Sequence, residues 1–258
     1  MIYKEDPKNW LELQEYVKKT FVNCGYSAES PKVIETARSE KLEIDVFVEI
    51  EGVPKQRIIC ECKYWDTNIP QAVVHAFRMQ ANDSGANMGL LISKKGFQSG
   101  AIEAARFSNV KLLTWAEFEK MYEKMWYKEF FIPHLFALLD PLIEYIEPIN
   151  SRIFRKANLL SDDKKTRFNE LRQQYTQPAM FLEVACCNIM YFDKLKDMFS
   201  GDEIVLELPL RTSSALAQSN CFPESILNCS SYEELLTALT LYITHGINEF
   251  DTVFGERA

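Results

Sequence analysis

The spacing of apolar and polar positions changes along the chain, and the changes mark its elements. Residues 42–50 alternate, with Leu42, Ile44, Val46, Val48 and Ile50 on one face of an extended segment and Glu43, Asp45, Phe47 and Glu49 on the other. Residues 58–63 alternate again, setting Ile58, Cys60 and Cys62 against Ile59, Glu61 and Lys63. Gly52 and Pro54 turn the chain between them, which predicts an antiparallel hairpin. With the turn centred near Val53, Asp45 falls opposite Glu61.

Helical spacing flanks this hairpin. Trp10, Leu13, Tyr16, Val17 and Phe21 recur at three- and four-residue steps, predicting a helix over 7–23 with Pro7 near its first turn and Gly25 at its end. Residues 32–38 read as a short first strand entering the sheet. Pro70 opens a helix to about 83, capped by Thr67 or Asn68, with Ala72, Val73, Ala76, Phe77 and Gln80 on its packed side. The apolar run 87–93 reads as a central buried strand. A helix over 99–107, a strand over 110–114 and a helix over 115–125 follow. Strand, helix and strand in this order imply a right-handed crossover and a parallel pair. The order α-β-β-β-α-β-α-β-α gives an α/β fold, a mixed sheet flanked by helices.

Beyond 127 the pattern is almost wholly helical. Pro133, Pro141 and Pro148 each break or restart a helix, a charged helix spans 162–176 and an apolar one 178–199. A strand over 203–208 interrupts the helices. Ser231 and Glu234 form a capping-box pattern at the start of a helix to 250. His134 and His245, isolated on apolar stretches, read as core or interface residues. Two domains are therefore expected, 1–126 and a mostly α-helical 127–258, the latter regulatory, dimerising or partner-binding.

The hairpin also carries chemistry. Two carboxylates converging on one spot repel each other unless a divalent cation sits between them. Mg²⁺ suits Asp45 and Glu61, because it takes oxygen ligands and uses few protein carboxylates, and Mn²⁺ can substitute. Lys63 adds a cation on the same face. Phosphodiester hydrolysis needs this combination of metal-activated water and positive charge. Glu35 and Glu43 are further carboxylates that either join the site or lie on the strand surface.

Charge limits the reading. The net charge is −8, but residues 1–126 hold 17 Lys and Arg against 18 Asp and Glu, so the acidic excess sits in the second half. No large basic patch is visible, and strong unaided DNA affinity does not follow. The seven cysteines show no paired CxxC knuckles and read as free thiols. No run of eighteen apolar residues and no signal-peptide layout occur, so a cytoplasmic protein without membrane contact is expected.

Asp45, fifteen intervening residues, and then Glu61-Cys62-Lys63 resemble the D…ExK signature of the PD-(D/E)XK nucleases, in particular the Mrr-like restriction endonucleases. The stretches IDVFVEI, IICECKYW, MGLLISKKGFQSGAIEAA and VKLLTWAEFEKM resemble the family pattern in the right order, over residues of about 8–125. The resemblance implies a restriction-endonuclease-like fold and a Mg²⁺-dependent endonuclease acting on DNA in defence against foreign DNA, working as a homodimer or larger assembly. It implies Asp45, Glu61 and Lys63 as catalytic residues, with Asp45, Glu61 and the Cys62 backbone carbonyl as metal ligands. A first-helix glutamate often approaches the metal in this family, and here Glu12, Gln14 and Glu15 compete for that place. Substrate contacts are expected from Gln71, His75 and Arg78, which share one helical stripe, and from Lys94 and Lys95 at a strand end; each also fits a solvated surface position. The family's glycine-rich turn before the metal aspartate is replaced by ARSEKLEID. Two other readings stay open: a non-catalytic module binding nucleic acid or protein, and an RNA-directed nuclease with the same site. A protein partner or ligand is expected to act through the C-terminal half.

Overall fold

The computed structural model describes residues 1–38, 40–147, 149, 151–195, 206–212 and 221–255, with side chains of the helix ending at Leu195 described to residue 183. The chain divides into two compact units, Glu5–Phe130 and a second made of Met1–Lys4 together with Phe131–Ala258.

The first unit is a mixed sheet between helices, as the sequence pattern predicts. Helix α1 spans Trp10–Asn23 and starts three residues later than expected, because the Asn9 side chain accepts the Glu12 N–H and caps it there. Strands β1 (Ser27–Glu29), β4 (Val46–Ile50), β5 (Gln56–Lys63), β6 (Met88–Ser93) and β7 (Val110–Thr114) lie side by side in the order β1-β4-β5-β6-β7. β4 and β5 are antiparallel, whereas β5–β6 and β6–β7 are parallel and are bridged by helices α2 (Gln71–Asp83) and α3 (Ser99–Ala105). Helix α4 (Trp115–Trp126) is opened by a capping box between Thr114 and Glu117.

Both sheet faces are covered, which is why Val46, Phe47 and Val48 are all buried despite their alternation. On one face Phe47, Ile59 and Leu91 meet Phe77 and Ala81 of α2. Gly89 permits that approach, since a Cβ there would stand 3.0 Å from the Phe77 ring and 3.1 Å from Val110. On the other, Phe21 of α1 packs edge-on against Phe118 and Tyr122 of α4, with ring centroids 5.7 and 4.8 Å apart.

Several expectations are corrected. The stretch 42–50 is not one strand: β3 (Lys41–Ile44) pairs with β2 (Lys32–Glu35) in a separate two-stranded ribbon, and the chain bends at Asp45 before β4. The segment after Ser30 therefore does not enter the main sheet. Pro31 offers no N–H to extend β1, and half-exposed β2 and β3 satisfy each other. In α2 the buried residues are Val74, Phe77 and Ala81, while Ala72 and Ala76 are exposed, and the cap position is Pro70 with no side-chain bond from Thr67 or Asn68.

In the second unit, helices α5 (Ile132–Ile146), α6 (Ser151–Asn158), α7 (Asp162–Leu195), α8 (Glu224–Leu227) and α9 (Tyr232–Phe254) make up the described elements with one 3₁₀ turn, Leu210–Thr212. Pro133 stands in the first turn of α5 as expected, Pro148 lies outside the described residues, and two other prolines do not divide the helices. Pro178 lies inside one helix, α7, and Pro141 inside α5. Phe168, Leu171, Tyr175, Ala179 and Leu182 form a single buried stripe across Pro178, so packing outweighs the lost hydrogen bond. Gly246 of α9 meets the Tyr175 ring so closely that a Cβ would lie 2.7 Å from it. His134 and His245 are exposed, not buried in the core. Of the strand expected over 203–208, residues 203–205 fall outside the described residues and 206–208 are not extended into a strand.

Met1–Lys4 complete this unit. The first-turn amides of α9, Tyr232 N–H and Glu233 N–H, donate to the carbonyls of Met1 (3.1 Å) and Ile2 (3.0 Å), while Ser231 caps Glu234 N–H at 3.2 Å. Ile2 and Tyr3 are buried.

Candidate active site

The bend at Asp45 builds the site. Val46 pairs with Cys60, so one step along the antiparallel ladder brings Asp45 across from Glu61 and Cys62. Strand pairing stops there, and the Asp45 carboxylate takes the place of a backbone partner: its Oδ2 accepts the Cys62 N–H at 2.7 Å. In a strand, a residue's N–H and C=O point to the same side, so the Cys62 carbonyl faces the Asp45 edge too. Lys63 faces the other way, its carbonyl accepting the Lys94 N–H at 3.0 Å. The Lys63 ammonium is ion-paired with Glu61.

Asp45 is largely withdrawn from water. Burial pushes its carboxyl up, the Cys62 N–H pulls it down, and the Glu61 carboxylate pushes it up again, leaving it at about 6. Burial also holds the thiols of Cys60 and Cys62 far above their usual range, so neither is a nucleophile.

A cleft of about 590 Å³ opens over this corner. Asp45, Glu43, Cys62 and Lys63 form its polar floor, and Gln14 of α1 reaches it from one side. Of the three α1 candidates, Gln14 is the one that lines the cleft. Glu12 is tied to the cap, bonded to Lys8 N–H and Asn9, and Glu15 is paired with Lys18 in solvent. Gln14 is only 7% exposed and lines the cleft. Glu35 sits at the far end of β2 and does not line it.

The expected substrate contacts divide. Lys94 stands at the rim, bonded to Asp66 at 2.7 Å and 4.3 Å from the ring centroid of Tyr64, a cleft residue; Lys95 is exposed beside it. Gln71, His75 and Arg78 do not line the Asp45 cleft. Gln71 and His75 bond each other at 3.2 Å, Arg78 donates to the Ala104 carbonyl at 2.8 Å, and His75 and Arg78 line a different cleft, of about 480 Å³, with Asn82 and Phe107. The cleft's aromatic walls, Trp10 and Trp65, were not expected: helical spacing placed Trp10 among core residues, yet it is 60% exposed.

Among the described residues no three His, Cys, Asp or Glu side chains gather as a metal cluster. Asp45 lines the cleft, and Glu61, opposite it in the ladder, does not line the cleft and is ion-paired with Lys63; with the Cys62 carbonyl these are oxygen donors of the kind that Mg²⁺ or Mn²⁺ takes.

Residues 6–122 match the family model Mrr_cat, described as restriction endonuclease. This stretch is similar to the restriction endonuclease family, over a little under half of the chain. Its ends agree closely with the first compact unit, and it contains the whole Asp45 corner. No curated protein sequence matches the chain. A crystal structure described as that of a protein of unknown function, AF1548, aligns over 96% of this chain and 100% of its own at 14% identity, with a TM-score of 0.39. That likeness is too slight to inform the site. No helix among the described residues is long and apolar enough to cross a membrane.

Proposed function

We propose that the chain is a Mg²⁺-dependent DNA endonuclease acting against foreign DNA, with Mn²⁺ able to replace Mg²⁺. The observation that carries this reading is the Asp45 carboxylate anchored to Cys62 N–H beside the Glu61–Lys63 end of β5, inside a domain of restriction-endonuclease type. Asp45, Glu61 and the Cys62 carbonyl would hold the ion. When bound, it supplies charge neutralisation at a phosphate oxygen and a water of lowered pKa.

The chain's own residues supply the rest. The Cys62 N–H fixes one oxygen of Asp45, a residue of the cleft lining, and the second oxygen keeps its acceptor capacity for an ion or water. Lys63, held in the floor by Glu61, puts an ammonium group where charge develops on the phosphate and orients the attacking water. Gln14 contributes an uncharged amide that can bond water or a phosphate oxygen without adding to the acidic charge. The unit Glu5–Phe130 acts as the nuclease and the helical unit mediates assembly or partner binding.

A second reading, a non-catalytic binding module, draws on one observation: the α1 residues lining the cleft are Trp10, Leu11 and neutral Gln14, so no acidic side chain from α1 lines it beside Asp45. The assay that separates them is cleavage of supercoiled and linear DNA, methylated and unmethylated, with Mg²⁺, Mn²⁺ or chelator. Metal-dependent cutting reduced at least about 100-fold in both Asp45→Asn and Lys63→Ala is expected. Folded protein that binds neither ion and cuts nothing would establish the module, and cutting of RNA alone would redirect the substrate.

A further inference from the structure

Resting on that nuclease reading, we infer that the cleft receives an unpaired nucleotide, with Trp10 and Trp65 as stacking surfaces beside the Asp45 corner, so that the substrate class is single-stranded or locally unpaired DNA. Trp10 is 60% exposed and Trp65 42%, although both are large apolar side chains in a unit with a well-filled core. Each lines the same cleft as Asp45 and Lys63, from different elements: Trp10 from the first residue of α1, one turn above Gln14, and Trp65 from the segment leaving β5. The cation of Lys63 stands 5.9 Å from the Trp65 ring centroid, so charge and aromatic face are presented together.

The charge distribution favours the same conclusion. With 17 basic against 18 acidic residues over 1–126, this unit lacks the surplus needed to hold a duplex by its phosphates alone. Stacking supplies affinity that does not depend on basic charge, and any base offers a face for it. In a regular duplex those faces are covered by neighbouring base pairs, so a ring inside a cleft can reach only an unpaired or extruded base. A cleft of about 590 Å³ accommodates a nucleotide.

The decisive experiment measures binding without chemistry. The full chain in EDTA is titrated with a single-stranded DNA oligonucleotide, its blunt duplex and the same duplex with a frayed end, following tryptophan fluorescence. Of the four tryptophans, Trp115 and Trp126 are 6% and 1% exposed, so quenching reports on Trp10 and Trp65. Expected are quenching by single-stranded and frayed DNA, tighter binding of these than of blunt duplex, and affinity five- to 150-fold lower in Trp10→Leu and in Trp65→Leu, restored by phenylalanine. Equal affinity for blunt duplex, or leucine variants that bind single strands like wild type, overturns the inference, as does a change in oligomeric state in place of DNA affinity, which would make the rings a protein contact. Because no metal or cleavage is involved, failure here leaves the nuclease reading to its own assay.

Discussion

The two units treat similar side chains in opposite ways. In the helical unit polar and aromatic groups are matched inside: Tyr145 donates to Asp251 at 2.6 Å, its ring stacks on Phe250 with centroids 4.7 Å apart, and Tyr175 presses on Gly246. In the first unit a carboxylate is withdrawn from water with a neighbouring carboxylate to repel it, a buried glutamine lines the cleft, and two tryptophans stand in solvent. Matched groups stabilise a fold, and unmatched ones cost stability that a ligand can recover.

The contrast can be attacked where it is largest. Lys63→Ala and Asp45→Asn should abolish cleavage while leaving the helical unit folded; loss of helical structure in either would mean that the corner is structural. Gly246→Ala should do the reverse. Its Cβ overlaps the Tyr175 ring, and the displacement should cost about 2 kcal/mol, read as a lowered denaturant midpoint with cleavage per folded molecule unchanged.

A subtler test uses pH. Asp45 is raised to about 6 in the fold, so its contribution to stability is fully present below the unfolded value near 4 and is lost as pH rises through 6. In metal-free protein, Asp45→Asn, which keeps an acceptor for Cys62 N–H, should therefore stabilise by roughly 1 kcal/mol at pH 7.5, after allowance for partial solvent access, and by almost nothing at pH 4. Equal effects at both pH values would remove the carboxylate strain from the comparison. The smallest effect is expected at Phe107, which is fully exposed and holds a φ of 54° just past α3, a place suited to glycine. Phe107→Gly should gain about 0.5 kcal/mol by thermal unfolding.

How much of this was legible varies with the range of the interaction. The hairpin register followed from period-two alternation and a short turn, and both are local, so Asp45 across from Glu61 could be read directly. Whether that pair joined one sheet could not: the ribbon of β2 and β3 depends on Pro31 withholding a donor and on two half-exposed strands finding each other. Gln14 could be narrowed to three neighbours but not chosen, since the choice rests on Asn9 engaging Glu12. Trp10 fitted the apolar spacing of α1 and still lies outside its buried stripe, because a helix end can overhang the layer it packs on. Pro178 reads as a break in any local rule, and only long-range packing through Tyr175 and Ala179 carries α7 past it.

The tetrapeptide at the amino end has a practical consequence for anyone dissecting the protein. Because Met1–Lys4 belong with α9, the first unit is an insert in the other unit's sequence, crossed into at Glu5 and out of at Phe130. A fragment begun at 127 would expose two α9 amides and leave the seats of Ile2 and Tyr3 empty, so it should misbehave in isolation for reasons unrelated to losing a partner. Splicing residues 1–4 to residue 131 through a short linker is the design that would yield the helical unit whole.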